Sequence, residues 1–169
     1  MSTWREALRA QARSDFEASA ALGAADAYAS QTTMLLQMAW EKLAKAALVS
    51  GGHWNPTTKS HKVAAKFASV LKKRPRIEEV FQLASKAAAA GRLSWLQHEL
   101  EELEALTPAL AALGENAEYP WEGRDAGGQV DIRWPAAHLT RRFCGSRQRG
   151  GVHLRKDFET VNRHFDRLF

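Results

Sequence analysis

Basic side chains are concentrated in two stretches of the chain that contain no acidic residue. Clustered lysines and arginines raise the local positive potential and attract polyanions such as nucleic acid. The alternative interpretation is a solvated surface, balanced by an acidic helix face over 99–104. The first basic window, between Glu41 and Glu78, contains Lys42, Lys45, Lys59, Lys62, Lys66, Lys72, Lys73, Arg74 and Arg76. The second basic window, between Asp131 and Asp157, contains Arg133, Arg141, Arg142, Arg147, Arg149, Arg155 and Lys156.

The other residues capable of chemistry lack the spacing that a metal centre or an activated nucleophile needs. Ser146 has no glycine-flanked elbow of the serine-hydrolase type, and Gly127-Gly128 lacks the Lys and the Ser or Thr of a phosphate loop. We therefore expect no metal ion and no cofactor. Neither CxxC nor HxxxH spacing occurs around the candidate ligands His138, Cys144, His153 and His164.

Length and composition indicate one soluble globular domain over residues 1–169. Hydrophobic residues make up 45% of the chain, charged residues make up 25%, and the net charge is +5. The single Cys144 excludes an internal disulfide, and no apolar run reaches the roughly 20 residues that span a bilayer. Arg5, Glu6 and Arg9 interrupt the start of the chain, so it has no signal-peptide core. We expect a cytoplasmic protein without a membrane partner.

Apolar residues recur at helical spacing along most of the chain. The pattern predicts an N-terminal helix through Phe16 and a longer helix over about 27–50, which Gly51-Gly52 ends. A third helix, started by the Thr57 and Thr58 hydroxyls, extends to the break at Pro75.

The second half of the chain is predicted to contain three more helices. One extends from Ile77 to Gly91, and the next begins with Ser94 and Gln97 as a capping box. A short extended segment is indicated by Val130, Ile132 and Trp134, which alternate with polar residues. Residues 145–151 are predicted to form a basic loop, and the last helix is predicted to cover 154–168. The sequence therefore predicts an all-α, up-and-down bundle of about five to six helices, with a loop-rich segment near 114–153.

A leucine stripe runs along the predicted helix that follows Ser94. It is either bundle core or a dimer seam, and the core is favoured. Glu101, Glu102 and Glu104 on the same helix are expected to form its solvated face. The stripe consists of Leu96, Leu100, Leu103, Leu106, Leu110 and Leu113.

Three segments together resemble the HEPN family. Residues 38–48 (MAWEKLAKAAL), the Gly51-Gly52 turn and residues 59–62 (KSHK) are similar to its "EK-x-x-KA" helix and to the "SH" that opens the next helix. Residues 116–121 (NAEYPW) are similar to the family's element at the end of its fourth helix. The resemblance covers about 15–121, which leaves 122–169 as a basic C-terminal extension.

The resemblance implies a small, usually dimeric helical bundle of prokaryotic defence and toxin–antitoxin systems. Many members are metal-independent RNases with an Arg followed four to six residues later by a His. In such a pair the His exchanges protons near neutral pH and the Arg stabilises the phosphorane charge. At the matching place this chain has Asn116 and no His within seven residues, whereas Arg133 and His138 have the spacing, with Pro135 between them.

Three functional hypotheses follow. The first is a HEPN-like protein, without activity, that binds RNA or a nucleotide-bearing partner through the basic windows. The second is a metal-independent endoribonuclease toxin with Arg133 and His138 as the catalytic pair. The third is a structural subunit that pairs with a nucleotidyltransferase-like protein, and a homodimer is expected in each case. The candidate nucleic-acid-binding residues are Lys59, His61, Lys62, Lys66, Arg141, Arg142, Arg147 and Arg149.

Overall fold

The computed structural model describes residues 3–23, 29–52, 55, 63–106, 121–124, 126–133, 143 and 149–169. These residues are predominantly helical, which confirms the predicted class in its coarse form, and the described part of the chain adds one two-stranded ribbon. Two of the seven described helices, Ile77–Val80 and Phe165–Leu168, are single turns, so the predicted count of five to six is close. The elements in order are α1 (Trp4–Gly23), α2 (Ala29–Ser50), α3 (Ala64–Leu71), α4 (Ile77–Val80), α5 (Lys86–Ala105), β1 (Trp121–Arg124), β2 (Val130–Arg133), α6 (Arg149–Arg163) and α7 (Phe165–Leu168).

The core forms around the fully buried Trp40 of α2. Its ring meets Phe158 of α6 edge-on with centroids 5.4 Å apart and lies 6.3 Å from Phe67 of α3. Phe16 of α1 stacks on Phe158 with centroids 4.4 Å apart. Four helices therefore bury aromatic rings against one another, and this contact joins them at the centre of the core.

Ion pairs and hydrogen bonds join the first helix to the last two. Arg9 donates to the Asn162 side chain at 3.2 Å and to an Asp166 carboxylate oxygen at 2.8 Å, and Arg5 reaches the other oxygen at 2.7 Å. The hydrogen bond from Arg9 lowers the pKa of Asp166. Both guanidinium groups lie about 5 Å from the Phe165 ring centroid, where cation–π attraction adds to the contact.

A buried ion pair connects α5 to α6. Arg92 donates to Asp157 at 2.8 Å, while its guanidinium lies 4.5 Å from the Trp95 ring centroid. Asp157 is almost fully buried. Burial raises the pKa of Asp157, and the hydrogen bond from Arg92 opposes that shift.

α5 differs from its predicted boundaries. The sequence predicted a helix that ends at Gly91 and a new one capped by Ser94, but α5 continues through both residues. The real cap is Ser85, whose hydroxyl accepts from the Ala88 amide at 3.2 Å, and the chain turns just before it at Gln82, which has a φ of +52°. A glycine ends a helix where the backbone becomes left-handed, and at Gly91 the backbone stays helical.

The leucine stripe confirms the core interpretation in its described part. Leu96, Leu100, Leu103 and Leu106 are all buried within one chain, and Leu110 and Leu113 lie outside the described residues. The predicted solvated face is wrong for Glu104, which is buried, although Glu101 is exposed.

The segment after residue 120 contains the ribbon and the last helices. β1 and β2 are antiparallel, with Glu122 opposite Ile132, and Gly128 between the strands has a φ of +81°, which a glycine adopts without strain. The predicted extended segment is therefore confirmed at 130–133. The predicted basic loop at 145–151 is wrong at its end, because α6 begins at Arg149. None of the described helices is both long and apolar enough to span a membrane.

Candidate nucleic-acid interface

Five residues between α3 and α4 form a compact cationic turn. Residues 72–76, the basic turn, have the sequence KKRPR. The amides of Lys73 and Arg74 still donate to the carbonyls of Val70 and Leu71, so the turn begins as a last helical turn. Pro75 then stops the helix, and the next residue adopts a left-handed conformation with a φ of +57°. The chain therefore reverses within a few residues and presents consecutive cations to solvent.

Cations from three elements surround this turn. Lys66 is exposed on α3, and Lys86 is exposed at the start of α5. Lys72 donates to the neutral Gln97 side chain at 2.9 Å. We call this set the basic surface, and it consists of Lys66, Lys72, Lys73, Arg74, Arg76 and Lys86.

Two adjacent concavities lie in the basic surface and share Lys73 and Arg74. The first, on α3, is lined by Lys66, Val70 and the two shared cations and has a volume of about 370 Å³. The second lies between the basic turn and the first turns of α5 and has a volume of about 360 Å³. We call the second one the turn–α5 cavity.

Few carboxylates compensate these cations. Arg76 lies 3.7 Å from Glu79, which is also bound by Arg167 at 2.6 Å. Within the described ranges, Lys66, Lys73 and Lys86 have no carboxylate within ion-pair distance. Three ammonium groups of the basic surface are therefore available to an anionic ligand.

Arg74 is held more firmly than its neighbours. Its guanidinium lies 4.6 Å from the ring centroid of Phe169, and the residue is half-buried. Packing on an aromatic face restricts the rotamers of a long side chain. Arg74 therefore places a positive charge between the two concavities with little loss of entropy on binding.

The orientation of α3 depends on a carboxylate of α5. Val63 is the N-cap residue of α3 and supplies no side-chain acceptor. Instead, the Ala64 amide donates to Oε1 of Glu104 at 2.5 Å. Burial raises the pKa of Glu104, while hydrogen bonds from Ala64 and neighbouring amides lower it in part. Glu104 thus caps α3 from a position 40 residues away in the chain.

The first basic window is partly neutralised inside the fold. Lys42 pairs with Asp15 of α1 at 2.6 Å, and Lys45 pairs with the buried Glu41 at 2.5 Å. The "EK-x-x-K" segment over 41–45 is therefore a structural ion-pair cluster. Its two lysines stabilise α1 and α2 and are not free to bind a ligand.

The second basic window is also partly used within the fold. Arg155 donates to the Ser19 hydroxyl at 3.0 Å and links α6 to α1. Arg133 ends strand β2, and Arg149 begins α6. A pairing of Arg133 with His138 stays a prediction, because His138 lies outside the described residues.

Of the eight predicted nucleic-acid-binding residues, only Lys66 can be placed within the basic surface. Six of the others lie outside the described residues and remain predictions, namely Lys59, His61, Lys62, Arg141, Arg142 and Arg147. The basic turn lies within the first basic window but is absent from the predicted binding residues, apart from its neighbour Lys66. Its signal was the run KKRPR, in which a proline ends a helix directly after three consecutive cations.

Among the described residues, no three His, Cys, Asp or Glu side chains come together as a group that could hold a metal ion, and the candidate ligands His138 and Cys144 lie outside those residues. Comparisons of this chain with protein-family models, with curated proteins and with solved structures each give no match.

Proposed function

We propose that this protein is a HEPN-like RNA-binding protein and that the basic surface contacts the RNA backbone. The observation that supports the proposal is a set of three lysines, Lys66, Lys73 and Lys86, which have no carboxylate partner among the described residues and lie beside the anchored Arg74. Lysine ammonium groups act as point charges toward phosphates, and an arginine can bind two phosphate oxygens at once. A polyanion is therefore the ligand class that best fits this surface.

RNA is favoured among polyanions by the resemblance of 15–121 to the HEPN family. Its expected setting is a prokaryotic defence or toxin–antitoxin system. Binding through phosphates is independent of sequence and strongly dependent on salt, because each neutralised phosphate releases counterions.

The test measures affinity for single-stranded RNA by fluorescence anisotropy over a range of salt concentrations. The triple variant Lys66→Ala, Lys73→Ala and Lys86→Ala removes the three uncompensated lysines. For single strands, log K decreases with log salt, and the slope has a magnitude of about 0.7 per phosphate contact. Loss of three contacts should therefore make the slope of the variant shallower by about 2. Its affinity should also be lower than that of the wild type at every salt concentration below the physiological one.

A matched control removes the same charge from other parts of the surface. Arg13→Ala, Lys156→Ala and Arg163→Ala change exposed cations of α1 and α6. We expect the control to retain most of the affinity and the slope. Equal losses in both triple variants would show that net charge, and not the basic surface, determines binding. A wild-type affinity that does not change with salt would refute phosphate recognition.

A further inference from the structure

The turn–α5 cavity combines an apolar floor with a cationic rim. Ile77, Ala89 and Leu93 form the floor and are buried, whereas Lys73 and Lys86 lie at the rim and are exposed. A flat apolar group on the floor would therefore place an attached anion among the cations. A nucleotide has this combination of a base and a phosphate.

We propose that the turn–α5 cavity receives the base of one unpaired RNA nucleotide, with the adjoining phosphate on the rim. The inference rests on the proposed function, because it assigns one nucleotide of the bound strand to a specific place. The volume of about 360 Å³ lies in the range of small-molecule sites, which begins at about 300 Å³. A base within a duplex stays stacked and paired, so only single-stranded RNA can enter.

Glu78 indicates which bases fit. It is the only carboxylate among the described residues that line the cavity, and it would repel a nucleotide unless it accepted a hydrogen bond from the base. The exocyclic amino groups of cytosine, adenine and guanine are suitable donors. Uracil has no amino group, and its one donor, the ring N3–H, lies between two carbonyl oxygens that a carboxylate repels. The cavity therefore selects amino-bearing bases over uracil.

The experiment blocks the cavity without changing charge. Ala90 lies on the cavity wall and Ala88 does not, and both are exposed on α5. At 100° per residue the two side chains point about 160° apart around the helix. Ala90→Leu narrows the cavity, and Ala88→Leu is its matched control with the same added volume. Affinities of both variants are measured for an oligocytidine, an oligouridine and a duplex of equal length.

We expect Ala90→Leu to weaken oligocytidine binding about tenfold, the size of losing one bound base, and to leave duplex binding unchanged within about twofold. Ala88→Leu should bind all three RNAs like the wild type. The wild type should prefer oligocytidine to oligouridine, and Glu78→Gln should reduce that preference.

The outcomes separate this inference from the proposed function. If Ala90→Leu binds oligocytidine like Ala88→Leu while the triple lysine variant still loses affinity for every RNA, the cavity assignment fails and backbone binding stands. If the wild type binds no RNA at low salt, the proposed function fails as well. A competition arm uses cytidine monophosphate, for which displacement only at millimolar concentration is expected. Displacement at micromolar concentration would identify a free nucleotide as the ligand and overturn the assignment to a strand.

Discussion

Truncation of Glu104 should destabilise the protein far more than a surface glutamate would. Glu104→Ala removes the acceptor of the Ala64 amide, which is buried together with that residue. Because Val63 supplies no replacement cap, the amide would remain buried without a partner. The effect should reach the basic surface, since α3 carries Lys66 and leads into the basic turn.

The expected magnitude follows from these contacts. A buried donor left without a partner costs about 1–3 kcal/mol, and the loss of a helix cap typically costs about 1 kcal/mol. Burial of the Glu104 charge itself costs free energy, as its raised pKa indicates, so removal of that charge offsets part of the loss in stability. A net loss of about 2 kcal/mol is expected, which corresponds to a decrease in Tm of about 4–8 °C for a chain of this size.

Urea unfolding followed by circular dichroism measures the loss, with two controls. Glu101→Ala changes an exposed glutamate of the same helix and should alter stability by less than about 0.5 kcal/mol. Glu104→Gln keeps an oxygen acceptor without the charge and should be closer to the wild type than to Glu104→Ala. Equal stability of Glu104→Ala and Glu101→Ala would refute the capping role.

Three further predictions concern the helices that support the site. Gly91→Ala should stabilise the protein by about 0.5–1 kcal/mol in thermal unfolding, because a Cβ there meets no atom and α5 continues through it; a loss would contradict this. Leu100→Ala should cost about 2–5 kcal/mol in urea unfolding through a core cavity, and a smaller loss would mean that the core collapses around it. Burial raises the pKa of Asp157, so the native state binds a proton at this carboxyl group more tightly than the unfolded state does. The free energy of unfolding therefore decreases as pH rises through the interval between the ordinary and the raised pKa. Relative to the wild type, Asp157→Asn should therefore become more stable as pH rises through that interval, and an identical pH dependence of Tm would contradict this.

Local periodicity was sufficient to predict the helices whose ends coincide with strong terminators. α1 and α2 follow from apolar spacing together with Gly51. For α3 the spacing predicted the helix but not its bounds, because α3 covers only Ala64–Leu71, with Val63 as its N-cap, and the predicted start at Thr57 and Thr58 lies outside the described residues. The boundary of α5 was missed because Gly91 has no local feature that distinguishes an interior glycine from a terminal one. The true start depends on the conformation at Gln82 and on the Ser85 hydroxyl.

The candidate site was predictable only in part, for a related reason. A cation-rich window is visible in the sequence, but which cations remain available depends on contacts between distant residues. Lys42 is neutralised by Asp15, 27 residues away, whereas Lys86 joins the basic turn only because the chain reverses between α4 and α5. The capping of α3 by Glu104 is likewise a tertiary contact with no pattern of its own.

The aromatic stack between Phe16 and Phe158 bears on the order of folding during synthesis. α1 and α2 leave the ribosome well before α6, so Phe16 and Trp40 lack the ring that covers them until Phe158 has been made. The nascent helix pair therefore exposes an aromatic face for most of translation. Chaperone binding or aggregation of the partly synthesised chain should depend on this face, and a chain released before α6 should be recovered mainly in the insoluble fraction.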